Sequence, residues 1–180
     1  MSWITYSGNA PLIFSYIFIV GIMIVLINRS KNLRFAPENA SILLKKKAIM
    51  FILCSSMIYG MTSGISQILK ETTQRPRPYE VHQVRITKAL TKTTAGEEKE
   101  SFPSGHAAGA FMMVVIIVRR FGKKMRTLYG WAILVAFSRI YLGAHYPSDV
   151  IAGGFLGWLM ANLIISGAIR FCPKMNLGFT

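Results

Sequence analysis

The chain has 180 residues, the length of one domain, and 52% of them are hydrophobic and gathered into long blocks, which favours an integral membrane protein. The formal net charge of +14 is compatible with a nucleic-acid partner, but the basic residues lie between the apolar blocks, and this placement argues against one.

Five apolar stretches follow one another along the chain, at residues 11–27, 48–69, 107–118, 128–143 and 150–169. A helix needs about 20 residues to cross a hydrocarbon core of about 30 Å, so the first, second and fifth stretches are long enough. The third and fourth reach that length only if their polar ends are counted. We therefore predict an all-α bundle of about five transmembrane helices, in a single domain spanning residues 1–180.

The charged residues of the connecting segments predict the orientation in the membrane. Residues 28–47 carry six basic residues against one glutamate, and residues 119–127 carry five basic residues and no acid. Residues 70–102 mix seven basic residues with five glutamates. The positive-inside rule then places the two basic segments in the cytoplasm and the mixed segment outside. No small-residue cleavage site follows the first stretch, so we expect that stretch to be retained.

Cysteines and glycines within the stretches have simple interpretations. Cys54 and Cys172 are predicted at different depths, so neither a disulfide nor a metal site is expected from them. The patterns GMTSG at 60–64 and GGFLG at 153–157 predict close packing of helices, because glycine lets two backbones approach.

Three polar clusters fall at stretch ends that the predicted topology places on the outer side. One contains Lys70, Arg77 and Pro78; the second is the PSGH segment at 103–106; the third is SRIYLGAHYPSD, from Ser138 to Asp149. Because neighbouring helices alternate in direction, the three clusters are expected at one depth.

The cations of these clusters predict an anion site. Lys70, Arg77 and Arg139 would repel one another unless an anion with several oxygens lay between them, and phosphate suits arginine forks. Arg139 is costly in lipid and should face the protein interior. The helix expected to begin at Ser104 adds unpaired backbone N–H groups, and Gly105 lets that backbone come close to the anion.

The two histidines suit the two roles that phosphate-ester cleavage needs. His145 is the candidate nucleophile, with Asp149, four residues later, as the partner that fixes its tautomer. His106 is the remaining candidate for the general acid that protonates the leaving oxygen and then activates water.

Each residue alone also has a plain structural interpretation. Lys70 can be a helix-end residue at the membrane surface, and Arg139 can pair with Asp149. His145 and Asp149 can cap a helix, and His106 can simply end one. The coincidence of all of them at one membrane face favours the functional interpretation.

The complete pattern resembles the three-part signature of the type 2 phosphatidic acid phosphatase family, which is related to vanadium haloperoxidases and bacterial non-specific acid phosphatases. The match consists of Lys70, six residues, Arg77-Pro78; then Pro103-Ser104-Gly105-His106; then Ser138-Arg139, five residues, His145, three residues, Asp149. The resemblance covers about residues 52–163. Membrane members usually have six spans and five are predicted here, so one N-terminal helix is expected to be absent. The catalytic core is four helices in either case.

The resemblance implies a lipid phosphatase in which His145 forms a phosphohistidine, Asp149 orients it, and His106 acts as acid and base. It implies a phosphate cradle of Lys70, Arg77, Ser104, Gly105 and Arg139, with no cofactor and no metal. We expect a bacterial, multi-pass protein of the cytoplasmic membrane whose partners are membrane lipids and a lipid phosphate substrate. Undecaprenyl pyrophosphate, phosphatidylglycerol phosphate, phosphatidic acid and lipid A remain open as substrates. Alternatives are a phosphotransferase with the same intermediate, and a non-catalytic lipid-phosphate binding or transport protein.

Overall fold

A computed structural model describes residues 38–81 and 100–171, and these residues are helical apart from short connections. The helices are α1 (Glu38–Thr73), α2 (Pro78–Val81), α3 (Gly105–Phe121), α4 (Leu128–Tyr141) and α5 (Pro147–Phe171), with a 3₁₀ helix (Lys123–Thr127) between α3 and α4. The four stretches predicted between residues 48 and 169 are thus helices. The first stretch, residues 11–27, lies outside the described residues.

Helix α1 is long and ends in a polar turn. Its last residue, Thr73, is followed by Gln74 with φ of +44°, a left-handed conformation that breaks the helix. The backbone N–H of Gln74 closes the helix by donating to the carbonyl of Lys70 at 2.9 Å. Residues 74–77 then continue without helix, as the prolines at 76 and 78 predict, and the short α2 begins at Pro78.

Helix α3 lies at the centre of the bundle and contacts α1, α4 and α5. It begins after Ser104, where a helix start was predicted. Ser104 is the N-cap, and its hydroxyl accepts from the N–H of Ala107 at 3.4 Å. It ends at Gly122, whose φ of +93° favours glycine. Ten consecutive or nearly consecutive small and aliphatic side chains between these points are buried, at residues 107–110 and 112–117.

Helix α5 begins at Pro147, because proline suits the first position of a helix, and it packs most extensively on α3. A Cβ atom at Gly153 would overlap the carbonyl of Ser104, and one at Gly157 would overlap the carbonyl of Ala108. The GGFLG pattern therefore brings the two helices into backbone contact, as predicted. The GMTSG pattern on α1 behaves differently, because a Cβ atom at Gly60 or Gly64 has no described neighbour within 4 Å.

An apolar cluster fills the middle of the bundle between α1, α3 and α5. Its fully buried members include Phe51 and Ile58 of α1, Met112 and Ile116 of α3, and Ile165 of α5. Two of the described helices are long and apolar enough to cross a membrane, over Ile49–Thr73 and Pro147–Arg170. Helices α3 and α4, with 17 and 14 residues, are shorter.

Candidate active site

The three predicted polar clusters meet at one end of the bundle, which we call the polar end (residues 70–77, 101–106 and 138–149). The backbone N–H of Ser104 donates to the carbonyl of Asp149 at 2.9 Å, which joins the start of α3 to the start of α5. The N–H of Ser101 donates to the carbonyl of Arg75 at 2.8 Å, which joins the segment after α1 to the segment before α3. Backbone bonds therefore fix the relative positions of all three clusters.

His145 is held between these segments with 3% of its surface exposed. Its Nδ1 atom lies 2.7 Å from the backbone carbonyl oxygen of Ser101. A carbonyl can only accept, so Nδ1 carries the proton and the neutral ring keeps the lone pair on Nε2. The turn before His145 is fixed as well, because the N–H groups of Ala144 and His145 both donate to the carbonyl of Arg139, at 3.1 and 3.3 Å.

Asp149 is close to His145 but its hydrogen bonds go elsewhere. Its Oδ2 atom lies 3.9 Å from His145 Nδ1, beyond hydrogen-bond distance. The same oxygen accepts from the hydroxyl of Ser101 in a very short contact and from the backbone N–H of Tyr146 at 2.9 Å. The bond to Tyr146 caps the start of α5, so the helix-capping interpretation of Asp149 is also correct. The predicted direct bond from Asp149 to the ring is replaced by the carbonyl of Ser101.

The environment of His145 favours its neutral form. Burial is the largest cause that lowers the pKa of His145 below that of an ordinary histidine, and the nearby charges of Arg77 and Arg139 lower it further. The carboxylate of Asp149 and the carbonyl of Ser101 act in the opposite direction, but they do not outweigh burial. At neutral pH the ring is therefore uncharged, which is the state that a nucleophile requires.

Two of the three predicted cations are buried near this histidine. Arg77, just before α2, is 2% exposed, and Arg139, in the last turn of α4, is fully buried, as predicted for an arginine facing the protein interior. Lys70 is in the last turn of α1 and is half-buried. Asp149 forms an ion pair with Arg75, at 2.8 Å.

The PSGH segment supplies the start of α3. Ser104 is fully buried as the N-cap, Gly105 is the exposed first residue of the helix, and His106 follows it half-buried. A Cβ atom at Gly105 would have no neighbour within 4 Å in residues 38–81 and 100–171, so no described residue covers this position. This geometry suits an anion beside the N-terminal N–H groups of α3.

Two residues of the polar end had no assigned role in the sequence interpretation. Ser101 provides the carbonyl that holds His145, and Arg75 provides the ion pair that holds Asp149. Arg75 stands two residues before Arg77, and its place beside the signature was the available signal. Ser101 contacts Asp149 across 48 residues of sequence, and no local pattern indicates such a contact.

Among residues 38–81 and 100–171, no group of three or more His, Cys, Asp or Glu side chains is arranged to hold a metal ion. The absence of a metal requirement stays a prediction, which treatment with a chelator tests.

The helical bundle and its polar end can now be compared with known protein families. The model of the PAP2 superfamily matches residues 49–170, and the chain belongs to that superfamily. The matched residues include every predicted site residue and all of α3, α4 and the 3₁₀ helix.

Two curated relatives illustrate the range of substrates among similar proteins. An undecaprenyl-diphosphatase of Sulfolobus acidocaldarius is 31% identical over 163 residues, which cover 86% of this chain and 75% of that one. A lipid A 4'-phosphatase of Bacteroides thetaiotaomicron is 41% identical over 64 residues, or 32% of this chain. The match spans 28% of the length of the Bacteroides protein, less than two thirds of it.

Two solved structures share the fold. Aquifex aeolicus LpxE superposes with a TM-score of 0.64 at 19% identity, covering 91% of this chain and 81% of that chain. A transmembrane PAP2-type phosphatidylglycerolphosphate phosphatase from Bacillus subtilis superposes with a TM-score of 0.60 at 24% identity, covering 93% and 74%. At these identities the likeness concerns the fold, which is that of membrane PAP2 phosphatases.

Proposed function

We propose that this protein is a membrane lipid phosphatase that removes phosphate from a lipid phosphomonoester or pyrophosphate through a phosphohistidine on His145. The observation that carries this proposal is the bond from His145 Nδ1 to the carbonyl of Ser101, at 2.7 Å. It leaves the Nε2 lone pair of a neutral ring available to phosphorus, beside two buried arginines.

In the proposed first step, Nε2 of His145 attacks phosphorus and the bond from phosphorus to the lipid oxygen breaks. Arg77, Arg139 and Lys70 neutralise the charge on the phosphoryl oxygens, and the hydroxyl of Ser104 and the N–H of Gly105 donate hydrogen bonds to them. Protonated His106 gives its proton to the departing oxygen, so the lipid leaves as an alcohol or as a lipid monophosphate.

In the second step, water attacks phosphorus opposite the P–N bond, and His106, now neutral, takes its proton. The P–N bond breaks, inorganic phosphate is released and His145 returns to its neutral form. Both steps use groups of the polar end and call for no metal. Vanadate, which mimics five-coordinate phosphorus, should therefore inhibit, and EDTA should leave activity unchanged.

We further propose a single membrane-embedded domain of about five spans, with the polar end at the outer face of the cytoplasmic membrane. The basic segments 28–47 and 119–127 favour this orientation through the positive-inside rule. Exposed apolar side chains along the helices suit contact with lipid, among them Leu53, Met57, Phe137, Ile151 and Phe155. Substrate then reaches the polar end from the outer leaflet.

A substrate panel tests the proposal. Purified protein in detergent is offered undecaprenyl pyrophosphate, phosphatidylglycerol phosphate, phosphatidic acid and lipid A, and released phosphate is measured. We expect release from at least one lipid, sensitive to vanadate and insensitive to EDTA. If His145→Ala retains more than a few per cent of the wild-type phosphate release, the nucleophile assignment is wrong.

The same phosphohistidine can in principle pass its phosphoryl group to a lipid acceptor. The panel separates this phosphotransferase alternative, because phosphate would then appear on an added lipid and not in solution. A lipid-phosphate binding or transport protein would release no phosphate in either assay. Such a protein would need the cations but not a neutral histidine with a proton donor beside it.

A further inference from the structure

The contacts around His145 lead outward to two side chains, Ser101 and Arg75, that lie outside the proposed catalytic set. Each is joined to that set by hydrogen bonds. One backbone hydrogen bond also joins the two residues, from the N–H of Ser101 to the carbonyl of Arg75 at 2.8 Å. This pair therefore forms one structural unit beside the nucleophile.

Ser101 contacts His145 and Asp149 through different atoms. Its carbonyl oxygen accepts from His145 Nδ1, while its hydroxyl donates to Asp149 Oδ2. The residue is fully buried, so water does not compete for either bond. The bond from the Ser101 hydroxyl to Asp149 fixes the position of Ser101, whose carbonyl binds the ring of His145. The orientation of His145 therefore depends on the hydrogen bond between Ser101 and Asp149.

Arg75 fixes Asp149 in turn. Its NH1 atom donates to Asp149 Oδ1 and to the hydroxyl of Ser148, both at 2.8 Å, and its guanidinium lies 4.0 Å from the centre of the Tyr146 ring. Asp149 is fully buried, and a buried carboxylate requires such partners. The side chain of Arg75 is thereby committed to the start of α5.

We propose that Arg75 and Ser101 are positioning residues, in a chain from Arg75 through Asp149 and Ser101 to His145. Asp149 then orients the nucleophile indirectly, through the carbonyl of Ser101. This inference rests on the proposed function, since it concerns the orientation of the proposed nucleophile.

Ser101→Ala is the primary test, because it removes the hydroxyl and keeps the carbonyl. Misplacing a reacting group by a fraction of an ångström slows chemistry without weakening the phosphate cradle, so we expect kcat to fall about 10- to 100-fold with KM changed less than about threefold. Ser55→Ala is the matched control: Ser55 is fully buried in α1, and its hydroxyl has no hydrogen-bond partner among the described residues. We expect wild-type kcat in the control.

Substitutions of Arg75 distinguish a positioning role of this residue from a role in substrate binding. If Arg75 positions Asp149, Arg75→Gln should lower kcat about tenfold, and Arg75→Lys should recover most of it, because an ammonium can still donate to Asp149 Oδ1. If Arg75 instead binds substrate phosphate, Arg75→Gln will raise KM and the inhibition constant of inorganic phosphate. That second pattern would overturn the assignment. Arg126→Gln, an exposed arginine of the 3₁₀ helix, is the charge-matched control.

A double-mutant comparison tests the order of the chain. If Asp149 acts through Ser101, Ser101→Ala in the Asp149→Asn background should reduce kcat by less than about threefold further. Fully multiplicative losses would mean that the two residues act independently, against the proposal.

The tautomer of His145 gives a measurement that does not depend on turnover. The chain has three histidines, and NMR spectra of protein with ¹⁵N-labelled histidine report the tautomer of each ring. The signal of His145 is identified as the one that is lost in His145→Ala. We expect a single Nδ1–H tautomer in the wild type and a mixture in Ser101→Ala. A wild-type ring without the Nδ1 proton refutes the positioning chain. A panel without phosphate release refutes the proposed function and leaves the tautomer result standing.

Discussion

The polar end and the apolar middle of the bundle are built from the same helices by different forces. At the polar end, α3 and α5 are joined by a backbone bond from Ser104 to Asp149, and buried charges are held by nearby partners. In the middle, Met112, Ile116 and Ile165 belong to a cluster of buried apolar side chains. Dispersion and burial are non-directional, whereas the hydrogen bonds at the polar end each specify one geometry.

This difference predicts a division of tasks. The apolar middle should carry much of the stability and tolerate changes that leave the chemistry intact. The polar end should carry the chemistry and depend on single atoms. Substitutions in the two regions therefore give opposite patterns in activity and in thermal stability.

The largest effect is expected for the two histidines of the polar end. His145→Ala removes the proposed nucleophile and His106→Ala the proton donor, so each should reduce turnover at least about 10³-fold. Both variants should still fold in detergent, because neither ring belongs to the apolar cluster. Phosphate release is measured beside the melting curve for each variant.

Retention of more than a few per cent of activity in His145→Ala would refute its role. His106→Ala can also be tested with a phosphate ester that has a good leaving group, because such a substrate needs no proton donor in the first step. Accumulation of phosphorylated protein from this substrate, in a folded variant without turnover, would support the role of His106 as general acid.

The next effect belongs to the apolar middle. Ile116 is 1% exposed, and Ile116→Ala leaves a cavity between α1, α3 and α5. Such substitutions cost about 2–5 kcal/mol in protein cores, so the melting temperature should fall clearly. Turnover per folded molecule should stay within about twofold of wild type. A stable but inactive Ile116→Ala would contradict the division of tasks.

The sequence predicted four of the described helices, α1, α3, α4 and α5, together with the helix start at Ser104 and the common depth of the three clusters. These features depend on the hydropathy and helix-start residues of short segments, or on the alternating direction of successive helices. The partner of His145 Nδ1 could not be predicted, because the spacing of His145 and Asp149 is compatible with a direct bond. His145 Nδ1 instead donates to the carbonyl of Ser101, and only the fold brings residue 101 there.

The two glycine patterns show the same limit. GMTSG and GGFLG are similar patterns, but a Cβ atom at Gly157 would overlap the carbonyl of Ala108, whereas a Cβ atom at Gly64 would have no described neighbour within 4 Å. Whether a small-residue pattern is used depends on what the fold places opposite it.

These glycines provide a matched pair of smaller effects. Gly157→Ala forces α3 and α5 apart and should cost about 1–3 kcal/mol, which outweighs the helix propensity that alanine gains. Gly64→Ala gains propensity without a clash among the described residues and should be neutral or stabilising by up to about 1 kcal/mol. Melting temperatures of the two variants are compared in one detergent. Equal destabilisation would show that the pattern on α1 is also an interface.

The smallest expected effect is a shift in the pH dependence of activity. The pKa of His145 lies below that of an ordinary histidine, so the neutral ring persists into mildly acidic solution and is lost as the pH falls through that lowered value. The charge of Arg77 contributes to the lowering, after burial. Arg77→Gln should therefore raise the pKa of His145 and move the acidic limb of kcat/KM to higher pH.

The comparison uses one lipid substrate for both proteins, so the ionisation of its phosphate is common to both profiles and cancels. Asp149→Asn should move the limb the other way, since the carboxylate raises the pKa of His145. If Arg77→Gln lowers activity equally at every pH, Arg77 acts on substrate phosphate without influencing the charge of His145. The two substitutions thus distinguish the effect of nearby charges on the pKa of His145 from the binding of substrate phosphate.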